Sequence, residues 1–231
     1  MGMLTRFDLA LLKQRVGLNT VYETGTGHGL SLKWARQCGI ENLTSIEEDG
    51  PTFEVAKSRL AHLPNITLLK GDALELIDII PAKAKAPRLI FLDAHFVGAP
   101  DFIRGDARLA YTESAKDPRS FPLLEELRAL ALKDLRDDWI IADDARLYVN
   151  GLFSAGECPE WARQWEQKPK LDECFALFSE THDLQLLRQD HGYFLLVPKE
   201  CPLDWHQLVR TLPGERSKFI VSTFPAVPGT S

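Results

Sequence analysis

Between residues 21 and 29 the chain reads Val21-Tyr22-Glu23-Thr24-Gly25-Thr26-Gly27-His28-Gly29, and no other segment limits the fold as strongly. A short β-branched and aromatic run leads into an acid, then into glycine at every second position. A helical stretch follows, expected over Leu30 to Cys38. Glycine lets the backbone turn sharply after a strand and come close to a ligand, because no Cβ stands in the way. An acid ahead of such a loop suits a ligand with a positive group. The spacing differs from the dinucleotide fingerprint, which puts two residues between its second and third glycines.

From residue 20 onward, apolar runs that read as strands alternate with helical patterns. The strands are expected at Thr20–Thr24, Leu43–Glu47, Asn65–Lys70, Arg88–Asp93 and Trp139–Asp143. They are almost continuously apolar, as parallel strands covered on both faces are. Helices are expected over Pro51–Leu63, Asp72–Ala84 and Phe121–Leu135, and the charged-apolar alternation of Met1–Arg15 suits an amphipathic helix. Near the C-terminus Leu184–Gln189 and Tyr193–Pro198 flank Asp190-His191-Gly192, a hairpin signal. The expected fold is α/β and Rossmann-like. It has a seven-stranded, mostly parallel sheet with an antiparallel C-terminal hairpin and helices on both faces.

A length of 231 residues suits one domain over 1–231, with its core at about 20–199. The stretch 96–120 is long for a β-α connection and is expected to be a substrate loop, and 222–231 a loose tail. The formal net charge of −6 argues against a nucleic-acid partner. No apolar run is long enough for a membrane span, and no signal-peptide core is present. Cys38, Cys158, Cys174 and Cys201 are widely spaced, which suits reduced, mostly buried thiols in a cytoplasmic protein.

In open parallel sheets ligands bind outside the carboxyl ends of the strands, and the polar signals fall there. Glu47 and Glu48 close the second strand, 22 and 23 residues after Gly25. An acid at that place can accept from both hydroxyls of a ribose, or can be an exposed lead into the next helix. Gly71-Asp72-Ala73 follows the third strand, where Asp72 can also cap a helix. Asp93 ends the fourth strand, with His95 two residues on, and Asp143 and Asp144 end the fifth. Three converging carboxylates repel unless a cation or a proton intervenes, and oxygen donors of this kind suit Mg²⁺. The alternative is that Asp93 contacts a ligand amine and Asp144 pairs with Arg146 or Arg104. The aromatics Phe153, Trp161 and Trp165 are either an acceptor pocket, core or a dimer contact.

The Glu-x-Gly-x-Gly-x-Gly pattern, the acid after the second strand and Gly71-Asp72-Ala73 resemble the motifs of class I S-adenosylmethionine (AdoMet)-dependent methyltransferases. The resemblance runs from about Thr20 to Lys199. Within that family, the Asp-Ala-His and Asp-Asp-Ala-Arg segments look nearest to the macrocin-type and catechol-type small-molecule O-methyltransferases. The resemblance implies that AdoMet lies across Glu23, Gly25, Thr26, Gly27, His28 and Gly29, against Glu47 or Glu48, with its adenine at Gly71, Asp72 and Ala73 and its reactive end at Asp93. It also implies His95 as a general base, with Asp93 beside it, and Asp93, Asp143 and Asp144 as Mg²⁺ ligands. The implied reaction moves a methyl group to a small-molecule acceptor, through a hydroxyl oxygen. A non-catalytic AdoMet-binding module and an aminopropyl-type transferase are the alternatives. The acceptor, O- against N-transfer and a homo-oligomeric state are left open by the sequence.

Overall fold

The structure, a computed structural model, describes residues 4–95, 121–157, 168–211 and 221–223. The sheet order is β3-β2-β1-β4-β5-β7-β6-β8. Here β1 is Thr20–Thr24, β2 Asn42–Glu47, β3 Ile66–Lys70, β4 Arg88–Leu92, β5 Trp139–Ala142, β6 His182–Leu187, β7 Tyr193–Pro198 and β8 Val221–Thr223. The first five strands are parallel; β7 runs antiparallel to both β5 and β6. Strand order reverses between β1 and β4, so a crevice opens there at the carboxyl ends of the strands.

The seven expected strands are present, and β8 is an addition. It pairs antiparallel with the outer edge of β6, through Gln185↔Thr223 and Leu187↔Val221. Ser222 and Thr223, expected within a loose tail, therefore belong to the sheet; residues 224–231 lie outside the described residues.

Among the described residues six α-helices cover the sheet: α1 Leu9–Val16, α2 Leu30–Gln37, α3 Gly50–Leu60, α4 Ala73–Ile79, α5 Leu123–Leu130 and α6 Lys168–Ala176. Asp8, Asp49 and Asp72 cap α1, α3 and α4, each accepting a backbone N–H of the first turn. Two apolar layers result. Ile77, Leu127, Leu171 and Phe175 pack with Ile90 and Ile140 on one face. Leu12, Leu32 and Leu60 pack with Val21, Phe91 and Trp139 on the other. Alternate residues of the buried central strands feed opposite layers, which explains why those strands lack polar alternation.

Several sequence expectations change. Helix α4 stops at Ile79 rather than Ala84, and α5 spans only Leu123–Leu130. The hairpin link is longer than the three residues expected, because β6 ends at Leu187 and the chain then runs through 188–192 before β7. Of the described cysteines, only Cys174 is fully buried. The segment 96–120, with Arg104, and residues Cys158, Trp161 and Trp165 lie outside the described residues.

Candidate functional site

The glycine loop is built by its neighbours. The N–H groups of Gly25 and Thr26 both donate to the Ile46 carbonyl, which folds the loop onto the end of β2. Gly25, Gly27 and Gly29 all have positive φ, at 77°, 51° and 72°. A Cβ at Gly25 would strike the Asp93 carbonyl, and one at Gly29 would strike Leu60. At Gly27 a Cβ would meet nothing within 4 Å. The first and last glycines thus serve close packing, and the middle one faces open space.

Glu23 points inward. Its carboxyl accepts from the Ser45 hydroxyl at 2.9 Å, and Ser45 Oγ lies 2.6 Å from Thr26 Oγ1. Burial pushes the Glu23 carboxyl up to about 8, against the lowering effect of Ser45 and Ser31. Glu23 and Thr26 therefore brace the loop from below. His28 is partly buried in the loop, and loss of solvent lowers its pKa, with Arg59 acting the same way.

The two acids after β2 separate. Glu47 turns to the loop, where its Oε2 accepts from the Gly27 N–H at 2.8 Å and its Oε1 from the Asp49 N–H at 3.0 Å. Burial raises its pKa. Glu48 is exposed. Asp72 accepts from the Leu74 N–H at 2.8 Å, so it caps α4 while standing beside Gly71 and the buried Ala73 at the end of β3.

The acids after β4 and β5 do converge. The Asp93 N–H donates to the Thr24 carbonyl and the Asp143 N–H to the Leu92 carbonyl, so the chain leaves neighbouring strands at one level. Burial, then Asp143, Glu23 and Asp144, hold the Asp93 carboxyl well above its ordinary range. Asp143 is buried and also raised, by burial and then by Asp144. Asp144 behaves oppositely. Burial works to raise it, but His191, His95 and Arg146 outweigh this and hold it below the usual aspartate range.

The expectation of a Mg²⁺ site at Asp93, Asp143 and Asp144 is not supported. Among the described residues no group of three or more His, Cys, Asp or Glu side chains is placed to hold a metal ion. The reason is local. Asp144 sits at φ 53°, in the left-handed region, which turns its side chain to His191 Nδ1 at 2.8 Å and to Arg146 Nε at 3.9 Å. Asp143 Oδ1 is taken by the Asp144 N–H at 2.6 Å. The repulsion expected of three carboxylates is relieved by raised pKa values and basic side chains.

His95 lies among these acids. Its Nε2 is 3.7 Å from Asp144 Oδ2 and 4.0 Å from Asp93 Oδ1, and its side chain is only 5% exposed. Sequence reasoning had no reason to single out His191 or Glu126. His191 arrives from the β6–β7 link. Glu126, on α5, is buried beside Thr24, and burial raises it to about 8. Phe153, for which the sequence leaves acceptor pocket, core and dimer contact as alternatives, is buried under Gly192 and stacks below Arg188 at 4.7 Å.

No protein-family model matches the chain. No curated protein sequence matches it. Solved structures do. One is a "putative caffeoyl-CoA O-methyltransferase" from Staphylococcus aureus, with 16% identity, TM-score 0.50 and coverage of 82% of this chain and 80% of that one. The O-methyltransferase TomG from Streptomyces achromogenes, solved with SAM, has 17% identity, TM-score 0.49 and coverage of 82% and 77%. An O-methyltransferase from Bacillus cereus, solved with SAH, has 18% identity, TM-score 0.48 and coverage of 83% and 79%. At 16% identity the first of these likenesses speaks for architecture alone. The chain has the Rossmann-like fold of the class I methyltransferases.

Proposed function

We propose that this protein is an AdoMet-dependent methyltransferase that acts on the hydroxyl oxygen of a small molecule. The observation that carries this reading is the glycine loop. Gly27 opens onto free space at the switch point of the sheet, with the Glu47 carboxylate fixed beside it. A Cβ-free cradle of that kind fits a ligand laid against backbone, and Glu47 is in place to accept from ribose hydroxyls. Gly71, Asp72 and Ala73 at the neighbouring strand end would take the adenine. Asp93 would face the reactive end.

When bound, AdoMet supplies an electrophilic methyl group on a sulfonium that departs as a neutral thioether. The chain's task is to align an acceptor with that group, since near-attack positioning accounts for much of such a rate. His95 would remove the acceptor's hydroxyl proton as the new oxygen–carbon bond forms. The Asp144 carboxylate and the Asp93 carboxyl both face His95 Nε2, and the ionised Asp144 would hold a proton on that side. Nδ1 would then be the accepting nitrogen. The net negative charge favours a small molecule over nucleic acid as the acceptor.

Calorimetry with AdoMet, S-adenosylhomocysteine and NAD tests the cofactor assignment. AdoMet and S-adenosylhomocysteine are expected to bind and NAD is not. A screen of hydroxylated small molecules with methyl-labelled AdoMet then tests turnover. Retention of AdoMet without production of S-adenosylhomocysteine across that screen would favour a binding module instead.

A further inference from the structure

We infer that His191 is a positioning residue that acts through Asp144 on His95, and that the N-terminal segment holds it in place. The inference rests on the assignment of His95 as the base.

His191 Nδ1 stands 2.8 Å from Asp144 Oδ1, while His95 Nε2 stands 3.7 Å from Asp144 Oδ2. The two imidazoles therefore address different oxygens of one carboxylate. An ionised carboxylate only accepts, so on this inference the proton of His191 sits on Nδ1, toward Asp144. A carboxylate fixed at one oxygen presents the other in a defined direction. This is how a buried acid sets the tautomer and orientation of a catalytic imidazole.

The backbone around His191 is fastened on both sides. The Ala145 N–H donates to the Gly192 carbonyl and the Arg146 N–H to the His191 carbonyl, each at 3.0 Å. These bonds tie the link directly to the segment that carries Asp144. On the other side Asp190 receives Arg6 through two bonds, Nε at 2.9 Å and Nη2 at 2.7 Å, and the Tyr193 hydroxyl at 2.9 Å. Arg6 Nη1 also donates to the Arg210 carbonyl, and the Arg210 N–H to the Arg6 carbonyl. Asp190 has φ 53°, so this residue both makes the turn and holds the anchor. Parts of the chain far apart in sequence thus converge on the residue next to His191.

The test needs no acceptor. In histidine-¹⁵N-labelled protein, long-range ¹H–¹⁵N spectra report which ring nitrogen of each imidazole is protonated. His191 is expected to show a proton on Nδ1, and its loss in His191→Ala is expected to shift the His95 ring resonances. His191→Asn keeps an N–H donor near the same place and should bring the His95 resonances back toward wild type. Asp190→Asn loosens the anchor with His191 intact and should shift them in the same direction as His191→Ala, by less. Unmoved His95 resonances in His191→Ala would overturn the inference. So would equal shifts in the Ala and Asn variants, which would make the contact merely structural. If His191→Ala does not fold, an unchanged His95 signal in Asp190→Asn overturns it as well. S-adenosylhomocysteine titrated into the wild-type protein reads the cofactor site separately. Its failure to bind would remove the methyltransferase reading, whatever the spectra show.

Discussion

Arg6 and Asp190 are 184 positions apart and meet in a two-bond ion pair, Nη2 to Oδ1 at 2.7 Å and Nε to Oδ2 at 2.9 Å. The partners are unequal: the Arg6 side chain is 1% exposed and that of Asp190 26%. Removing the acid leaves a buried guanidinium without its carboxylate, whereas removing the arginine leaves a carboxylate that still reaches water and the Tyr193 hydroxyl. Asp190→Ala should therefore cost roughly 2–4 kcal/mol, below the range for a fully buried pair because Asp190 is partly solvated. Arg6→Met should cost less. Urea denaturation of both variants checks the order, and a larger loss in Arg6→Met would contradict it.

The strand-by-strand order of the fold was legible because each central strand is a short apolar run ended by Gly, Asp or Glu. Edge features were not. Helix α6 escaped notice because Lys168–Ala176 is short and sets its apolar Leu171, Cys174 and Phe175 among Lys, Pro, Asp and Glu. Strand β8 belongs to the short β-branched run Phe219-Ile220-Val221-Ser222-Thr223, whose pairing with β6 no local pattern announces. At the site, residue types at strand ends pointed to Glu47, Asp72, Asp93 and Asp144, but not to their directions. The inward turn of Glu23 depends on Ser45, one strand away. The turn of Asp144 toward His191 depends on a left-handed φ and on a hairpin link 47 positions further on. Such pairings come from topology, which one sequence does not display.

Gly25 and Gly27 should respond differently to substitution. Gly25→Ala drives a methyl group into the Asp93 carbonyl, so it must displace the end of β4 and destabilise the fold. Gly27→Ala meets nothing and carries only the cost of a left-handed backbone, about 1–2 kcal/mol. A folded Gly27→Ala protein with strongly weakened AdoMet binding, beside a Gly25→Ala protein with a lowered melting temperature, is the expected pair of results. Unchanged AdoMet affinity in Gly27→Ala would move the ligand away from this loop.

Of the two acids after β2, only Glu47 faces the loop. Glu47→Ala should weaken AdoMet by about 1–3 kcal/mol, the scale of lost charged hydrogen bonds. Glu48→Ala should leave the affinity unchanged, since Glu48 is exposed. Calorimetry on the two variants decides, and the reverse order would put the ribose against the other acid.

Stability should fall as pH rises across the neutral range. Glu23 and Glu126 are each raised from 4.5 to about 8, so the folded protein keeps two protons that the unfolded chain releases. Their contribution is fully present below pH 4.5 and is lost as pH climbs to about 8. Asp144, held below its ordinary value, has the opposite sign and is lost only in acid. Urea midpoints measured from pH 5 to 9 should decline, and Glu126→Gln, which cannot titrate, should flatten the decline. A midpoint rising through this range would show that neither glutamate is held protonated.

The last expectation concerns His95 and metal together. His191 and Arg146 stand against Oδ1 of Asp144, and the Asp144 N–H takes Oδ1 of Asp143, so two of the three carboxylates a divalent cation would need are partly committed. A chelator should therefore leave both AdoMet affinity and turnover unchanged. His95→Ala should lower kcat by roughly 10²–10⁴, the usual effect of losing a general base, with little change in AdoMet binding. Asp144→Asn should lower kcat by less, because an amide can still accept from His191 but gives His95 a weaker partner. Loss of activity in chelator with recovery on added Mg²⁺ would mean that Asp144 leaves His191 when the acceptor binds. Full turnover in His95→Ala would leave positioning alone to account for the rate.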